Sequence, residues 1–269
     1  MENEGVVANI RSAVTLLYHD VIENDLDESG FAGAAAGRYK IGRQHFKSHL
    51  ASIAARVSSP AVAATRHALL PGARAFFFTV DDGGKSSLII ADELERLGWR
   101  GTFFITTGRT GTQGFMTAAD IAALHRRGHS IGSHSVSHPY RMSELPDAAI
   151  AHEWRDSLAV LADIIGAPVE TASVPGGFYS QKVAEAAASC GVNVLFNSEP
   201  VTSVYCVDGC LIVGRFNILP ANSPAAVAAI AAGAPTALLK QQVLWNAKKT
   251  VKTYAAPVWD GARKLLFGS

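Results

Sequence analysis

Short apolar runs typical of β-strands alternate with amphipathic segments along most of the chain, and this alternation restricts its fold more than any other feature. The strand-like runs are residues 14–18, 75–80, 101–106, 130–133, 171–174, 192–196 and 211–213. Helical patterns lie between them at residues 43–56, 86–97, 118–127, 143–165 and 181–190. The glycines placed as C-terminal helix caps are Gly98, Gly128, Gly166 and Gly191. Repeated β–α units of this kind favour a parallel sheet that closes, or nearly closes, into a barrel.

Composition sets the size of the core and the class of partner. The chain has 269 residues, of which 48% are hydrophobic and 17% charged, so it can bury one large core. Its formal net charge is +1, and nothing in the overall balance favours nucleic acid. The balance shifts towards cations near the end, between residues 240 and 264. We therefore expect one α/β domain at residues 1–237 and a basic helical extension at residues 238–269, packed on or beside it.

The two ends of the chain suggest where the protein resides. Residues 1–10 contain two acidic side chains and no basic segment followed by a long apolar core, so a signal peptide is not indicated. No apolar run is long enough to span a bilayer, and we expect a cytoplasmic location. An apolar stripe in the C-terminal extension could lie on an anionic membrane, or it could pack on the domain. The stripe consists of Leu239, Val243, Ala247, Val251 and Tyr254.

Polar side chains follow two of the strand-like runs directly. The adjacent carboxylates Asp81 and Asp82 end the run Phe-Phe-Phe-Thr-Val, just before two glycines. A second polar cluster contains His134 and His138 and comes directly after the run at 130–133. In a parallel α/β barrel, reactive side chains collect at the carboxyl ends of the strands, so the two clusters are expected to converge.

The residue types in these clusters suggest a metal site. Two imidazoles and one carboxylate are the protein ligands of a catalytic zinc-type site that keeps an open position for water. Successive side chains of an extended chain point in opposite directions, so one aspartate should bind the ion while the other acts on the bound water as a base. Asp-Asp-Gly alone is a common turn sequence, and it is the joint appearance of both clusters after strands that favours a metal. We expect ordinary solvated or packed imidazoles at His45, His49, His67, His125, His129 and His152.

Both clusters resemble motifs of a known family. Residues 79–83, Thr-Val-Asp-Asp-Gly, are similar to its Thr-Phe-Asp-Asp-Gly motif, and residues 134–138 are similar to its His-Ser/Thr-x-x-His motif. The family is that of the polysaccharide deacetylases, carbohydrate esterase family four, which contain the nodulation-type chitooligosaccharide deacetylase homology domain. The resemblance spans about residues 70–200 and implies a distorted (β/α) barrel with seven strands.

The same resemblance implies roles for the residues of both motifs. Asp81 corresponds to the general base, while Asp82, His134 and His138 correspond to the ligands of a divalent metal. Zinc is the expected ion, with Co²⁺, Ni²⁺, Mn²⁺ and Fe²⁺ as alternatives. The implied reaction is hydrolysis of an N-acetyl group on a sugar, which leaves an amine and acetate.

The chain departs from the family pattern at the catalytic acid. The family usually places this acid in a Leu-x-His motif near the C-terminus, whereas this chain has no histidine after His152. Residues 16–20, Leu-Leu-Tyr-His-Asp, resemble the strand that opens the domain in a permuted branch, typified by the biofilm poly-N-acetylglucosamine deacetylases. This resemblance implies a circularly permuted variant of the fold with His19 as the general acid.

A second departure concerns the group that orients the base. Residues 173–179 correspond to the family's third motif, but Ser173 stands where an arginine is expected. Either another cation such as Arg215 takes its place, or Asp81 is positioned differently. By resemblance, the backbone N–H of Gly176 would stabilise the oxyanion and Tyr179 would line the substrate site.

The sequence therefore predicts a metal-dependent N-deacetylase acting on an N-acetylated sugar or glycoconjugate. One alternative is a hydrolase of the same fold that cleaves a non-sugar amide. Another is a catalytically silent glycan-binding protein, which is suggested only by the serine at position 173.

Overall fold

The computed structural model describes residues 12–69 and 74–247. Its strands are β1 (Ala13–Tyr18), β2 (Val21–Ile22), β3 (Ile41–Gly42), β4 (Ala75–Val80), β5 (Thr102–Ile105), β6 (Ser130–Ser133), β7 (Thr171–Ser173), β8 (Val194–Phe196), β9 (Val204–Val207), β10 (Cys210–Val213) and β11 (Phe216–Asn217). Its helices are α1 (Ala34–Gly37), α2 (Arg43–Ala54), α3 (Ser87–Glu95), α4 (Ala118–Arg126), α5 (Asp147–Ile165), α6 (Gln181–Ser189), α7 (Pro224–Ala231) and α8, residues 235–247. Every strand and helix predicted between residues 14 and 213 is present, while residues 248–269 of the predicted helical extension lie outside the described residues.

Nine of the strands form one sheet, in the order β11-β1-β4-β5-β6-β7-β8-β10-β9. All neighbours in it are parallel except β9 and β10, which form an antiparallel hairpin. The edge strands β11 and β9 do not pair with each other within the described residues. The sheet is therefore a curled half-barrel, which confirms the predicted α/β fold, whereas closure into a full barrel is not seen among the described residues. The chain turns back at Asp208-Gly209, and β9 becomes an edge.

Both faces of this sheet are buried, which explains why its strands read as continuous apolar runs. In β4, Phe76 and Phe78 belong to the large core cluster that includes the helices. Phe77 lies between them in sequence and belongs to a second cluster, together with Phe104 and Phe196. Because successive strand side chains alternate in direction, the two clusters occupy opposite faces of the sheet.

Helix boundaries follow local capping chemistry. Helix α4 begins with a capping box, in which the hydroxyl of Thr117 accepts from the Asp120 N–H and the Asp120 carboxylate accepts from the Thr117 N–H. Helix α5 begins at Asp147, four residues after the predicted start at residue 143, because Pro146 occupies its N-cap position. A short 3₁₀ turn at Met142–Glu144 precedes it.

The C-terminal helix α8 is partly packed on the domain. Ala237 and Leu238 contact the main core, whereas Leu239, Val243 and Leu244 are exposed. The domain boundary predicted between residues 237 and 238 falls inside this helix, and the remainder of the predicted apolar stripe, Val251 and Tyr254, lies outside the described residues. Within residues 12–69 and 74–247, no helix has both the length and the apolar character needed to cross a membrane.

Candidate metal centre

The carboxyl ends of four parallel strands supply the candidate site. Asp81 and Asp82 follow β4, His134 follows β6, Ser173 ends β7, and Arg215 comes two residues after β10. All of these side chains except that of Asp82 are less than 5% exposed, and that of Asp82 is 12% exposed. The predicted convergence of the aspartate and histidine clusters is confirmed.

Asp82, His134 and His138 form a cluster whose ligand atoms all lie within 4.8 Å of one another. Oδ1 of Asp82 is 3.4 Å from Nε2 of His134 and 3.5 Å from Nε2 of His138. Asp82, Ser135 and His138 all have positive φ angles, of 77°, 65° and 56°. Such angles are unfavourable for residues other than glycine and tend to cluster at functional sites, so the chain is strained where it aims these ligands.

Neighbouring groups hold the ring of His134 and the backbone of His138 in place. Nδ1 of His134 lies 3.0 Å from the backbone oxygen of Ser173, to which it can donate, and this leaves the Nε2 lone pair directed at the cluster. The backbone N–H of His138 donates to Oγ of Ser135 at 3.0 Å. The ring contact of His134 is typical of the outer shell around a metal-binding imidazole.

A carboxylate from α5 holds the loop between the two histidines. One oxygen of Glu153 accepts from the backbone N–H groups of Val136 and Ser137 at 2.8 and 2.9 Å, and the other accepts from the Ser137 hydroxyl at 2.6 Å. The sequence analysis did not identify Glu153, because no local pattern links a helix residue to a loop 16 positions earlier in the chain.

The donor set fits a divalent metal. Two imidazoles and one carboxylate, each offering one atom, give three protein ligands and leave positions open for water or substrate. A mixed nitrogen and oxygen set suits zinc and the neighbouring transition metals better than magnesium or calcium, which prefer oxygen alone.

Arg215 takes the place of the arginine that Ser173 replaces. Its Nη1 donates to Oδ1 of Asp81 at 2.7 Å and its Nη2 donates to Oδ2 at 2.9 Å, which is a bidentate ion pair. Nη2 also donates to Oγ of Ser173 at 2.7 Å, and Nε donates to the backbone oxygen of Asn197 at 2.8 Å. Of the two options left open by the sequence, the structure selects a substitute cation.

Electrostatic interactions keep both aspartates ionised. Burial raises the pKa of Asp81, but the charges of Arg215 and His134 outweigh it, so this pKa lies below its usual value. Burial likewise raises the pKa of Asp82. The hydrogen bond from His134 and the charge of His19 outweigh burial, so the pKa of Asp82 also lies below its usual value. Burial lowers the pKa of His134, but the two carboxylates more than offset this and raise it. Burial and the charge of His134 lower the pKa of His138.

His19 follows β1 and lies near the cluster. Its ring centroid is 4.6 Å from that of Tyr39, and its positive charge would lower the pKa of both Asp81 and Asp82. Its Nδ1 is buried and has no hydrogen-bond partner among the described residues. A buried ring nitrogen without a partner is costly in a finished core, whereas a group that meets a substrate can leave one free.

Gly176 and Tyr179 occupy different surroundings. Gly176 has a φ of 62°, and a side chain on it would approach the backbone oxygen of Tyr140 to 3.0 Å, so only glycine fits this turn. Tyr179 lines a cavity of about 500 Å³ with Tyr205, to which its ring is nearly perpendicular at 6.4 Å. That cavity is formed by residues from α6, β9 and their flanks, and none of the three candidate metal ligands lines it.

Several solved structures share this fold. A deacetylase from Streptococcus pyogenes solved with acetate is 19% identical, with a TM-score of 0.66, and the match covers 80% of this chain and 96% of that one. BC0361, a polysaccharide deacetylase from Bacillus cereus, is 16% identical, with a TM-score of 0.68 over 82% of this chain and 69% of that one. IcaB from Ammonifex degensii is 21% identical, with a TM-score of 0.64 over 82% and 97%. At these identities the likeness concerns the fold alone.

Sequence comparison agrees with this fold. The family model described as polysaccharide deacetylase matches residues 71–195, which include both aspartates, both cluster histidines and Ser173, but not His19 or Arg215. No curated protein matches the chain. Residues 71–195, somewhat less than half of this chain, are therefore similar to the polysaccharide deacetylase family, and the shared fold agrees with that similarity.

Proposed function

We propose that this protein is a metal-dependent hydrolase that removes the N-acetyl group from an N-acetylated sugar or glycoconjugate. The observation that carries the proposal is the arrangement of a three-residue ligand cluster beside a second, separately held carboxylate. Oδ2 of Asp81 is 3.7 Å from Nε2 of His134, while Asp81 is paired with Arg215 rather than with the cluster. One aspartate is thus available for the metal and the other for proton transfer.

The proposed chemistry assigns each group one task. When bound by Asp82, His134 and His138, a divalent metal such as zinc lowers the pKa of water to about 7 and polarises a carbonyl oxygen. Asp81 accepts the proton of the attacking water at Oδ2, its oxygen nearest the cluster. Its lowered pKa keeps it ionised at neutral pH, so it is ready to accept that proton.

His19 is proposed as the general acid that donates a proton to the leaving nitrogen. Its unpartnered, buried Nδ1 and its electrostatic coupling to both aspartates support this role. The position of β1 between β11 and β4 puts this N-terminal strand inside the sheet, which supports assignment to the permuted branch. Each proton transfer of this kind contributes about 10² to 10⁴ in rate.

The Gly176 turn is proposed to stabilise the developing oxyanion through its backbone N–H. The turn at Pro175–Gly177 begins two residues after Ser173, whose backbone oxygen orients His134, so the amide is close in sequence to the ligand cluster. A preorganised backbone donor aimed at developing charge is worth about 3 kcal/mol in other acyl-transfer enzymes.

Metal content and acetate release measured on the same samples test the proposal. The metal-loaded protein should bind one ion at this cluster and release acetate from an N-acetylhexosamine substrate. Asp81→Asn should keep the ion and lose turnover, whereas His134→Ala should lose both. His19→Ala should keep the ion and lose turnover as the base variant does.

The same measurements separate the alternatives. Near-normal turnover in Asp81→Asn would contradict its assignment as the base, and unchanged turnover in His19→Ala would remove His19 as the acid. Release of acid from other amides but not from acetylated sugars would instead indicate a non-sugar substrate. Glycan binding with no acetate release from metal-replete protein would indicate a silent binding protein.

A further inference from the structure

A second group of imidazoles lies away from the candidate metal centre, between α2 and the turn that precedes α7. Nε2 of His45 and Nε2 of His49 are 3.0 Å apart, and each is 2.9 Å from the backbone oxygen of Asn222. We call these three atoms the histidine triangle. The His49 side chain is fully buried, while His45 is half-buried and open to solvent on one side.

Hydrogen bonding alone cannot satisfy all three contacts of the histidine triangle. A carbonyl oxygen only accepts, so each imidazole must donate its Nε2–H to Asn222. The two N–H groups then face each other with their nitrogens 3.0 Å apart. If either ring instead lacks its Nε2 proton, a nitrogen lone pair faces the carbonyl lone pairs at 2.9 Å. Every tautomer therefore leaves one contact between two donors or two acceptors, which is costly in a buried site.

We infer that the histidine triangle is a second metal site, which binds a transition-metal ion through Nε2 of His45, Nε2 of His49 and the carbonyl oxygen of Asn222. A cation accepts all three lone pairs at once and removes the conflict. Ligand atoms at about 2.1 Å from a metal and at right angles to each other are about 3.0 Å apart, against about 3.4 Å for tetrahedral angles. The observed separations of 2.9 and 3.0 Å thus correspond to one face of an octahedron.

The surroundings of the histidine triangle suit such an ion. Nδ1 of His49 is 3.2 Å from the hydroxyl of Tyr18, which can accept its proton and so fix the ring with Nε2 unprotonated. The carbonyl is held in a turn in which Oδ1 of Asn222 accepts from the backbone N–H of Leu219 at 2.7 Å. His45 is partly exposed, so water can reach this ring to complete the coordination.

The donor set also indicates the class of ion. Two imidazoles and a neutral carbonyl, with no carboxylate, favour Ni²⁺, Co²⁺, Cu²⁺ or Zn²⁺ over Ca²⁺ and Mg²⁺. Because the ligands come from α2 and from the segment before α7, the ion would join these two helices. The site shares no ligand with the cluster of Asp82, His134 and His138, and the inference does not depend on the proposed reaction.

Nickel binding to metal-stripped full-length protein tests the inference. Isothermal titration with Ni²⁺ alone should give two ions per chain in the wild type, one in His45→Gln and one in His134→Ala. The matched control His125→Gln, a half-buried histidine on α4, should still bind two. Without metal, His45→Gln should unfold at or slightly above the wild-type temperature, because its amide can still donate to Asn222 and the conflict between the two imidazoles is gone. With excess Ni²⁺, the wild-type midpoint should rise about 5 °C above that of the variant.

The outcomes distinguish this site from the candidate metal centre. Two ions in His45→Gln, or a single wild-type ion that is lost in His134→Ala, would overturn the inference. A single ion lost in His45→Gln but kept in His134→Ala would uphold it while contradicting the proposed function. If the glutamine variant does not fold, His45→Ala carries the same test, since alanine is a good helix former.

Discussion

Replacing Arg215 with methionine should damage both stability and turnover, because Arg215 is the only partner that pairs bidentately with Asp81 among the described residues. The side chains of Arg215 and Asp81 are 0% and 4% exposed, so solvent cannot screen the charge left behind. Removing one member of a buried ion pair costs about 3–5 kcal/mol. We expect a loss of that size in the free energy of unfolding of Arg215→Met, measured by urea denaturation of metal-free protein.

The effect on turnover follows from the loss of orientation. A hydrogen bond to a charged group contributes about 1.5–3 kcal/mol, which corresponds to about 10- to 150-fold in rate if it is needed only to position the base. The kcat of Arg215→Met for acetate release should therefore fall about 100-fold with KM little changed, while metal content stays at the wild-type level. The kcat of Arg215→Lys should lie between those of the wild type and Arg215→Met, because one ammonium group cannot make both contacts with Asp81.

A double-mutant cycle and a surface control make the Arg215 prediction refutable. Asp81→Asn removes the buried charge, so Arg215→Met should cost less stability in that background than alone. Arg127 pairs with Glu95 and Asp92 at the surface with 30% exposure, and Arg127→Met should cost less than about 1 kcal/mol. If Arg215→Met and Arg215→Lys both kept kcat within about twofold of wild type at full metal occupancy, Arg215 would not position the base.

The Arg215 pair also has a pH signature. The folded-state pKa of Asp81 is lowered, so the stability that the pair contributes is present above the ordinary aspartate pKa of about 4 and is lost as pH falls through the lowered value. Arg215→Met removes the largest lowering influence and leaves burial, which raises the pKa. The stability advantage of the wild type over Arg215→Met should therefore shrink as pH falls below about 4, because protonation of Asp81 removes the contribution of the pair in the wild type and the unpaired buried charge in the variant.

Three further predictions concern residues around the site. Burial lowers the pKa of His129, so the stability that this histidine contributes is present above about pH 6.5 and is lost as pH falls through the lowered pKa. The denaturation midpoint of His129→Gln should therefore decline less than that of the wild type between about pH 7 and 5. Glu153→Gln should weaken metal binding about 10- to 100-fold by calorimetry, because an amide cannot accept all three bonds that hold the ligand loop. Gly132→Ala should lose about 1–3 kcal/mol in urea denaturation, since its Cβ would approach the Phe104 ring to 2.5 Å, while Gly37→Ala, with only ordinary contacts, should not.

The sequence predicts the strands well and the edges of the sheet poorly. Runs such as residues 75–80 are apolar at every position because both faces of the strand are buried, and that pattern is readable without a structure. The short strands β2, β3 and β11 contain two residues each, too few for any periodicity to be seen. Whether the sheet closes depends on which strands become its edges. The residues of a single strand do not indicate whether that strand will be an edge.

The candidate metal ligands could be predicted for the same reason that the strands could. Asp82 and His134 directly follow strands that are recognisable in the sequence, and parallel strands bring their carboxyl ends together. Glu153 and Arg215 could not be placed with equal certainty, because each reaches the site from a distant element. The sequence raised Arg215 only as one candidate cation, and nothing local distinguishes it from other arginines.

The curvature of the sheet explains how Arg215 can reach Asp81 at all. Four strands, β5 to β8, lie between β4 and β10 in the sheet order. In a flat sheet the strand ends would be about 24 Å apart at about 4.8 Å per strand, yet the two side chains meet at 2.7 Å. The second core cluster bridges the same gap, since Phe77 of β4 lies 6.0 Å from Phe196 of β8, and the Arg215 guanidinium lies 5.7 Å from Phe104.

The packing of Phe77, Phe104 and Phe196 and the ion pair of Asp81 with Arg215 therefore both depend on the curvature of the sheet. A sheet that curls this far brings the ends of non-adjacent strands together, so the cation that pairs with Asp81 need not come from the strand on which the family motif places it. Ser173, which lies where that arginine is expected, is small enough to accept a hydrogen bond from Arg215 and to donate one to Asp81. On this reasoning, a substitution that flattens the sheet, such as Phe196→Ala, should lower kcat as well as stability, because it removes the ring packed against Phe77 and Phe104.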